Sequence, residues 1–180
     1  MISVTFEARD LEKASRELGA TAEQVKRALR STLRKMASWV KTRSVRGLSK
    51  ELKVQQKAIR RRLRSLKARP TADGGAQIKI WYGLDPIALI NLGASQNRRG
   101  VRAAGGRFVP GAFIAPGKGG KMQVFKRVGK ARLPIKKQSA DIAAKAERFL
   151  DDGLLNSEAF EQQFFKTFDH ELKWQTRTPK

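Results

Sequence analysis

Charge narrows what this chain can be more than any other feature, because it is confined. Residues 26–69 hold 17 basic residues and 1 acidic one, and residues 86–140 hold 12 basic residues and no acid. Residues 1–25, 70–85 and 141–180 come to −2, −1 and −2. The net charge is +23, so the two internal blocks, at +16 and +12, hold all of the excess. Solubility needs far less charge, and a compact fold carries this much only against self-repulsion. The pattern implies one polycationic side and a polyanionic partner, of which nucleic acid is the commonest.

Composition sets the outer bounds. The 180 residues, 40% of them hydrophobic, are enough for one ordinary domain with a sizeable core. The chain has no cysteine, which removes disulfides, thiol nucleophiles and thiolate metal sites and fits a reducing cytosol. No apolar run approaches the roughly 18 residues of a membrane helix. The start, MISVTFEARD, lacks the basic region and apolar stretch of a secretory signal. A protein made and used inside a cell, without a membrane partner, is expected.

Ile2, Val4 and Phe6 alternate with Ser3, Thr5 and Glu7, which predicts an opening strand. Residues 10–18 read as a short helix stopped by Gly19. Thr21-Ala-Glu-Gln24 has capping-box spacing and starts a long helix expected to reach about Arg46, with Gly47 ending it. Ala22, Val25, Leu29, Met36 and Val40 fall within about 40° either way on a helical wheel and form its buried stripe. Arg27, Arg30, Arg34 and Lys41 gather on another side. A shorter basic helix is expected over residues 54–67, before Pro70. Its Lys53, Lys57, Arg60, Arg64 and Lys67 make a narrow cationic stripe, anchored by Ile59, Leu63 and Leu66.

Residues 71–75 read as a turn, 77–82 as a strand and 87–92 as a candidate strand. Residues 91–106 are glycine-rich and basic with few apolar anchors, and read as a long loop, with a flexible part at about 93–107. Residues 108–115 and 122–128 are expected to pair as a hairpin across Pro116-Gly-Lys-Gly-Gly120, with Pro110 and Gly111 marking a bulge or an edge. Ser139 is the expected N-cap of a helix to about Leu150, broken by Asp151-Asp-Gly153. Ser157 caps a last helix to about Gln175. The expectation is therefore one α+β domain over residues 1–180. It has an N-terminal strand, two helices, a small antiparallel sheet with the glycine-turn hairpin, and C-terminal helices.

Few residues invite chemistry. Gly111 to Lys118 has five residues between its glycines and Gly119 after the lysine, so it fails as a phosphate-binding P-loop. His170, the sole histidine, lies beside Asp169 and Glu171 without metal or triad spacing. Asp73 and Asp85 are the only acids between residues 52 and 140. No catalytic residue, metal site or cofactor is expected. Phe160, Phe164, Phe165, Phe168, Leu172 and Trp174 crowd the last helix. Core packing is the plainer account of them, and a subunit interface at Phe164 and Phe168 the alternative. The basic stripe with Lys57, Arg60 and Arg64 is expected to face nucleic acid. No zinc finger or ribonucleoprotein aromatic motif is present, and Trp39, Trp81 and Tyr82 form no stacking series. Helices over 26–46 and 54–67 are joined by more residues than a helix-turn-helix uses. Phosphate contact with weak sequence preference follows.

The text Val109-Pro-Gly-Ala-Phe-Ile114, then Val124-Phe-Lys-Arg-Val128 and Pro134-Ile135, resembles the minor tail protein Z family of phage lambda and its prophage relatives. The basic segment from Leu52 to Leu63, LKVQQKAIRRRL, is similar to that family's second block, so the resemblance covers roughly residues 25–140. The resemblance implies a structural tail completion protein of a long-tailed phage, not an enzyme. Its place would be the virion, at the head-proximal end of the tail, after synthesis in the host cytoplasm. The implied partners are the tail terminator or tube protein, the head connector protein and the double-stranded DNA end in the tail lumen. A homo-oligomeric ring, a hexamer, would surround that DNA. On this reading Arg98, Arg99, Arg102 and Arg107 face the DNA, while Val109, Phe113 and Ile114 pack on a subunit or partner. The alternative is a free nucleic-acid-binding protein without sequence preference, nucleoid- or ribosome-associated. An enzyme on nucleic acid would need a carboxylate cluster beyond Asp73 and Asp85, and ranks last.

Overall fold

The computed structural model describes residues 2–177, apart from the side chains of Asp10 and Ala14. Helices and antiparallel strands mix in it, the α+β class that the patterning predicts. β1 (Ile2–Phe6) is the alternating opening strand, and α1 (Ala8–Glu17) ends ahead of Gly19. α2 (Ala22–Leu52) starts on the capping box. The Thr21 N–H donates to Gln24 Oε1 at 2.8 Å, and the Gln24 N–H to Thr21 Oγ1 at 3.3 Å. The helix does not stop at Gly47. A Cβ there would run into the Phe149 ring, so the glycine admits a ring against the helix backbone. The stop comes at Lys53, in the left-handed region with φ +51°, where the Val54 N–H closes onto the Ser49 carbonyl at 3.0 Å.

The basic helix expected over 54–67 is the largest correction. Only α3 (Gln56–Arg60) is helical, and β2 (Leu63–Pro70) follows. Leu63, Leu66 and Ala68 lie opposite Tyr82, Ile80 and Ile78 of β3 (Ala76–Tyr82). A ladder against a buried strand outweighs an amphipathic face that local spacing alone supports. Residues 71–75 form the expected turn, closed by the Thr71 N–H on the Gly75 carbonyl at 2.9 Å. Residues 87–92 split into β4 (Ile87–Ala88) and a 3₁₀ turn (Leu89–Leu92). The expected loop over 91–106 instead contains β5 (Ser95–Asn97) and β6 (Gly100–Ala103), paired with each other and on to β7 (Arg107–Pro110). The glycine-turn hairpin is present as β8 (Ala112–Pro116) and β9 (Met122–Arg127). Gly111, with φ +70°, separates it from β7.

β10 (Ile135–Lys137), β11 (Ser139–Ala140) and α4 (Ala143–Leu150) follow. Ser139 is a strand residue opposite Ala88, and Asp141 takes the capping role, its Oδ1 accepting from the Ala143 N–H at 3.0 Å. A wide turn of π-helical form (Asp151–Leu155) leads to α5 (Glu158–Arg177). There Ser157 caps as expected, its Oγ accepting from the Phe160 N–H at 3.3 Å.

These elements gather into two compact units. The first comprises the described parts of residues 1–47, 63–83 and 147–180. Its sheet has the order β1-β3-β2, fully antiparallel. Ile78, Ile80 and Tyr82 of β3 are buried, as are Leu29, Met36 and Val40 of α2, while Val25 is half-buried and Ala22 exposed. Phe6 stacks on Phe164 with ring centroids 3.7 Å apart, and Trp39 lies 5.8 Å from Phe160, which ties α5 to both strand and helix. Phe164 and Phe168 are 0% exposed. They are core, and the interface reading of them is corrected. The second unit comprises residues 48–62 and 84–146. It holds the sheets β5-β6-β7, β10-β9-β8 and β11-β4 over buried Leu52, Ile59, Ile87, Val101, Val124 and Ile142.

Candidate nucleic-acid interface

The second unit has 19 basic and 3 acidic residues, a net +16 of the chain's +23. Its local geometry decides which of those cations are presented. At the β5–β6 tip, Asn97 Oδ1 accepts from the N–H groups of Arg99 at 2.9 Å and Gly100 at 3.0 Å. A Cβ on Gly100 would collide with the Val109 carbonyl oxygen, so the tight pairing with β7 requires glycine. The Arg99 carbonyl accepts from the Gly111 N–H at 3.0 Å. A tip fixed at three points leaves the Arg98 and Arg99 side chains exposed.

One face of β5-β6-β7 continues this cationic surface. Ser95, Arg102 and Phe108 stand opposite one another across the three strands. The Arg102 guanidinium lies 5.7 Å from the centroid of the Phe108 ring, which is 44% exposed. Arg107, expected to face DNA, does something else. It donates to the Ala104 carbonyl at 2.6 Å and to the Leu52 carbonyl at 3.2 Å, and so ties β7 to the C-terminal end of α2. Cations suit that end of a helix. Arg107 is half-buried and leaves the exposed set.

The register also divides the apolar trio. Val109 lies opposite fully buried Val101, and Ile114 opposite fully buried Val124, so both face the unit's interior. Phe113 is on the other face of β8, its ring 6.2 Å from Phe125 and 5.7 Å from the Arg127 guanidinium. Val109, Phe113 and Ile114 therefore form no common surface. Ala112 pairs with Lys126, which sets Gly111 beside Arg127. The Arg98–Arg99 tip thus lies at the same end of the unit as the β9–β10 turn, with exposed Lys130 and Arg132. Lys57 and Arg60 are exposed on α3, while Arg64 is the extra residue of a bulge in β2, in the first unit. The stripe that a helix would have made does not exist.

The first unit holds the ion pairs Arg9–Glu7, Arg16–Glu12, Lys26–Glu23, Lys35–Glu171 and Lys173–Asp169. Arg98, Arg99, Arg102, Arg127, Lys130 and Arg132 have no carboxylate partner among the described residues. Exposed guanidinium groups in that state suit phosphate, which they can engage through two parallel hydrogen bonds. Among the described residues no three His, Cys, Asp or Glu side chains gather to hold a metal ion. No described helix is long and apolar enough to cross a membrane. The two arginine–aromatic pairs escape sequence reading, because each partnership depends on strand register rather than on spacing.

Compared with known protein families, the chain matches prophage minor tail protein Z over residues 9–179. No curated protein and no solved structure matches it. The family match takes in the aromatic helix α5, which the short motifs of the hairpin leave uncovered. The chain therefore belongs to the prophage minor tail protein Z family, and it is a structural component of the phage tail and of the virion.

Proposed function

We propose that this protein completes the tail at its head-proximal end, as a hexameric ring around the DNA channel that joins the tail to the head connector. The observation that carries the reading is the Asn97-fixed tip, which presents Arg98 and Arg99 without a carboxylate partner in a unit of net +16. Duplex DNA carries one charge per roughly 1.7 Å of axis, so a ring of such tips meets phosphate in any register. Phosphate contact reads no sequence, which lets a collar hold a DNA end and still release it during ejection. Arg98, Arg99, Arg102, Lys57 and Arg60 are the DNA-facing residues in this account. The Phe113, Phe125 and Arg127 surface serves a neighbouring subunit, the tail terminator or the tube protein.

Replacing Arg98, Arg99 and Arg102 together by Glu tests it. All three are exposed, so the fold is kept and assembly proceeds. Particles carrying the variant should lose DNA from joined tails, and infectivity should drop by about tenfold or more, as expected when phosphate contacts are reversed. Normal infectivity with the variant present in the particle contradicts the proposal.

A further inference from the structure

Alternation along β1, β2 and β3 gives the first unit's sheet two unlike faces. Phe6, Ile78, Ile80 and Tyr82 line the buried one. On the opposite face, Ser3, Lys79 and Lys67 stand in one row, Thr5, Gln77 and Arg69 in the next, and Trp81 beside Ser65 in a third. Those positions hold three cations and no carboxylate. Trp81 is 50% exposed and makes no ring contact among the described residues.

Lys67 and Lys79 are direct cross-strand neighbours, with Cβ atoms roughly 5 Å apart, and like charges so placed repel. Gln77 Nε2 donates to Thr5 Oγ1 at 3.3 Å, and no acid at these positions offsets the lysines. A bound anion would. Lys79 and Trp81 are two residues apart on β3, about 7 Å along the strand. A phosphate held by the lysines therefore brings what is attached to it over the indole. A duplex keeps its base faces stacked inside, so the base that meets this ring must be unpaired.

We infer that the open face of this sheet binds single-stranded nucleic acid, with phosphates on Lys67, Lys79 and Arg69 and a base stacked on Trp81. The site uses different residues from the duplex-facing arginines and does not rest on their role. An acidic protein would satisfy the lysines but leaves the indole without a stacking partner.

The test is fluorescence anisotropy of the full-length protein with a labelled oligo(dT) and with a duplex. Trp81→Ala should weaken oligo(dT) binding about tenfold, and Trp81→Phe should keep most of it, because stacking on an aromatic ring is the lost term. Lys67→Gln with Lys79→Gln should lower the slope of log affinity against log salt by about 1.4, two single-strand phosphate contacts. Duplex affinity should stay unchanged in all three, with melting by circular dichroism showing that each folds. Unchanged oligo(dT) binding, an equal loss on duplex, or displacement of oligo(dT) by polyglutamate as readily as by unlabelled oligo(dT) overturns the assignment.

Discussion

Glu171 holds an almost buried carboxylate, 8% exposed, in a chain with far more bases than acids. Burial pushes its pKa up. Hydrogen bonds from Lys35 and Ser31, the charge of Lys35 and a bond from His170 outweigh this and hold it below its ordinary 4.5. The folded value is lower than the unfolded one, so the carboxylate's stabilisation is complete above about 4.5 and disappears as pH falls through the folded value. Melting temperature should therefore fall as pH drops below 4.5, and Glu171→Gln should flatten that dependence while lowering stability at neutral pH. An unchanged acid slope in the variant contradicts this role. Residue type was legible in the sequence at this scale, but role was not. Arg98 and Arg107 differ because Arg107 reaches the carbonyl of Leu52, which no local pattern signals.

Among the elements, β1, the α2 start, the Ser157 cap and the β8–β9 hairpin follow from local rules. Their determinants lie within a few residues of one another. What local reading missed depends on distant partners. Leu63 and Leu66 fit a helix face as well as a strand face, and pairing with β3 decides between them. β6 has one buried side chain to announce it, Val101, and is held largely by backbone pairing on both sides. α2 passes Gly47 because Phe149 lies against it. Alanine normally stabilises a helix interior over glycine by about 1 kcal/mol. At position 47 the added Cβ must displace the Phe149 ring, so Gly47→Ala should cost about 1–3 kcal/mol, the usual range for overpacking. Denaturant unfolding measures it, and a stabilised variant would contradict the packing described.

Over the whole molecule, charge is divided unevenly between the units. The first has 20 basic and 13 acidic residues, a net +7, against +16 in the smaller second unit. The sequence shows that the excess is segregated. The fold redistributes it, because residues 26–47 and 63–69 of the first basic block belong to the first unit, where 63–69 join its sheet, while residues 48–62 belong to the second. The central claim is that this tail protein completes the tail around the DNA path. Electron microscopy of particles made without it tests that most directly. The account predicts tails detached from heads, or joined tails lacking the leading DNA end. Intact, DNA-filled and infectious particles would contradict it.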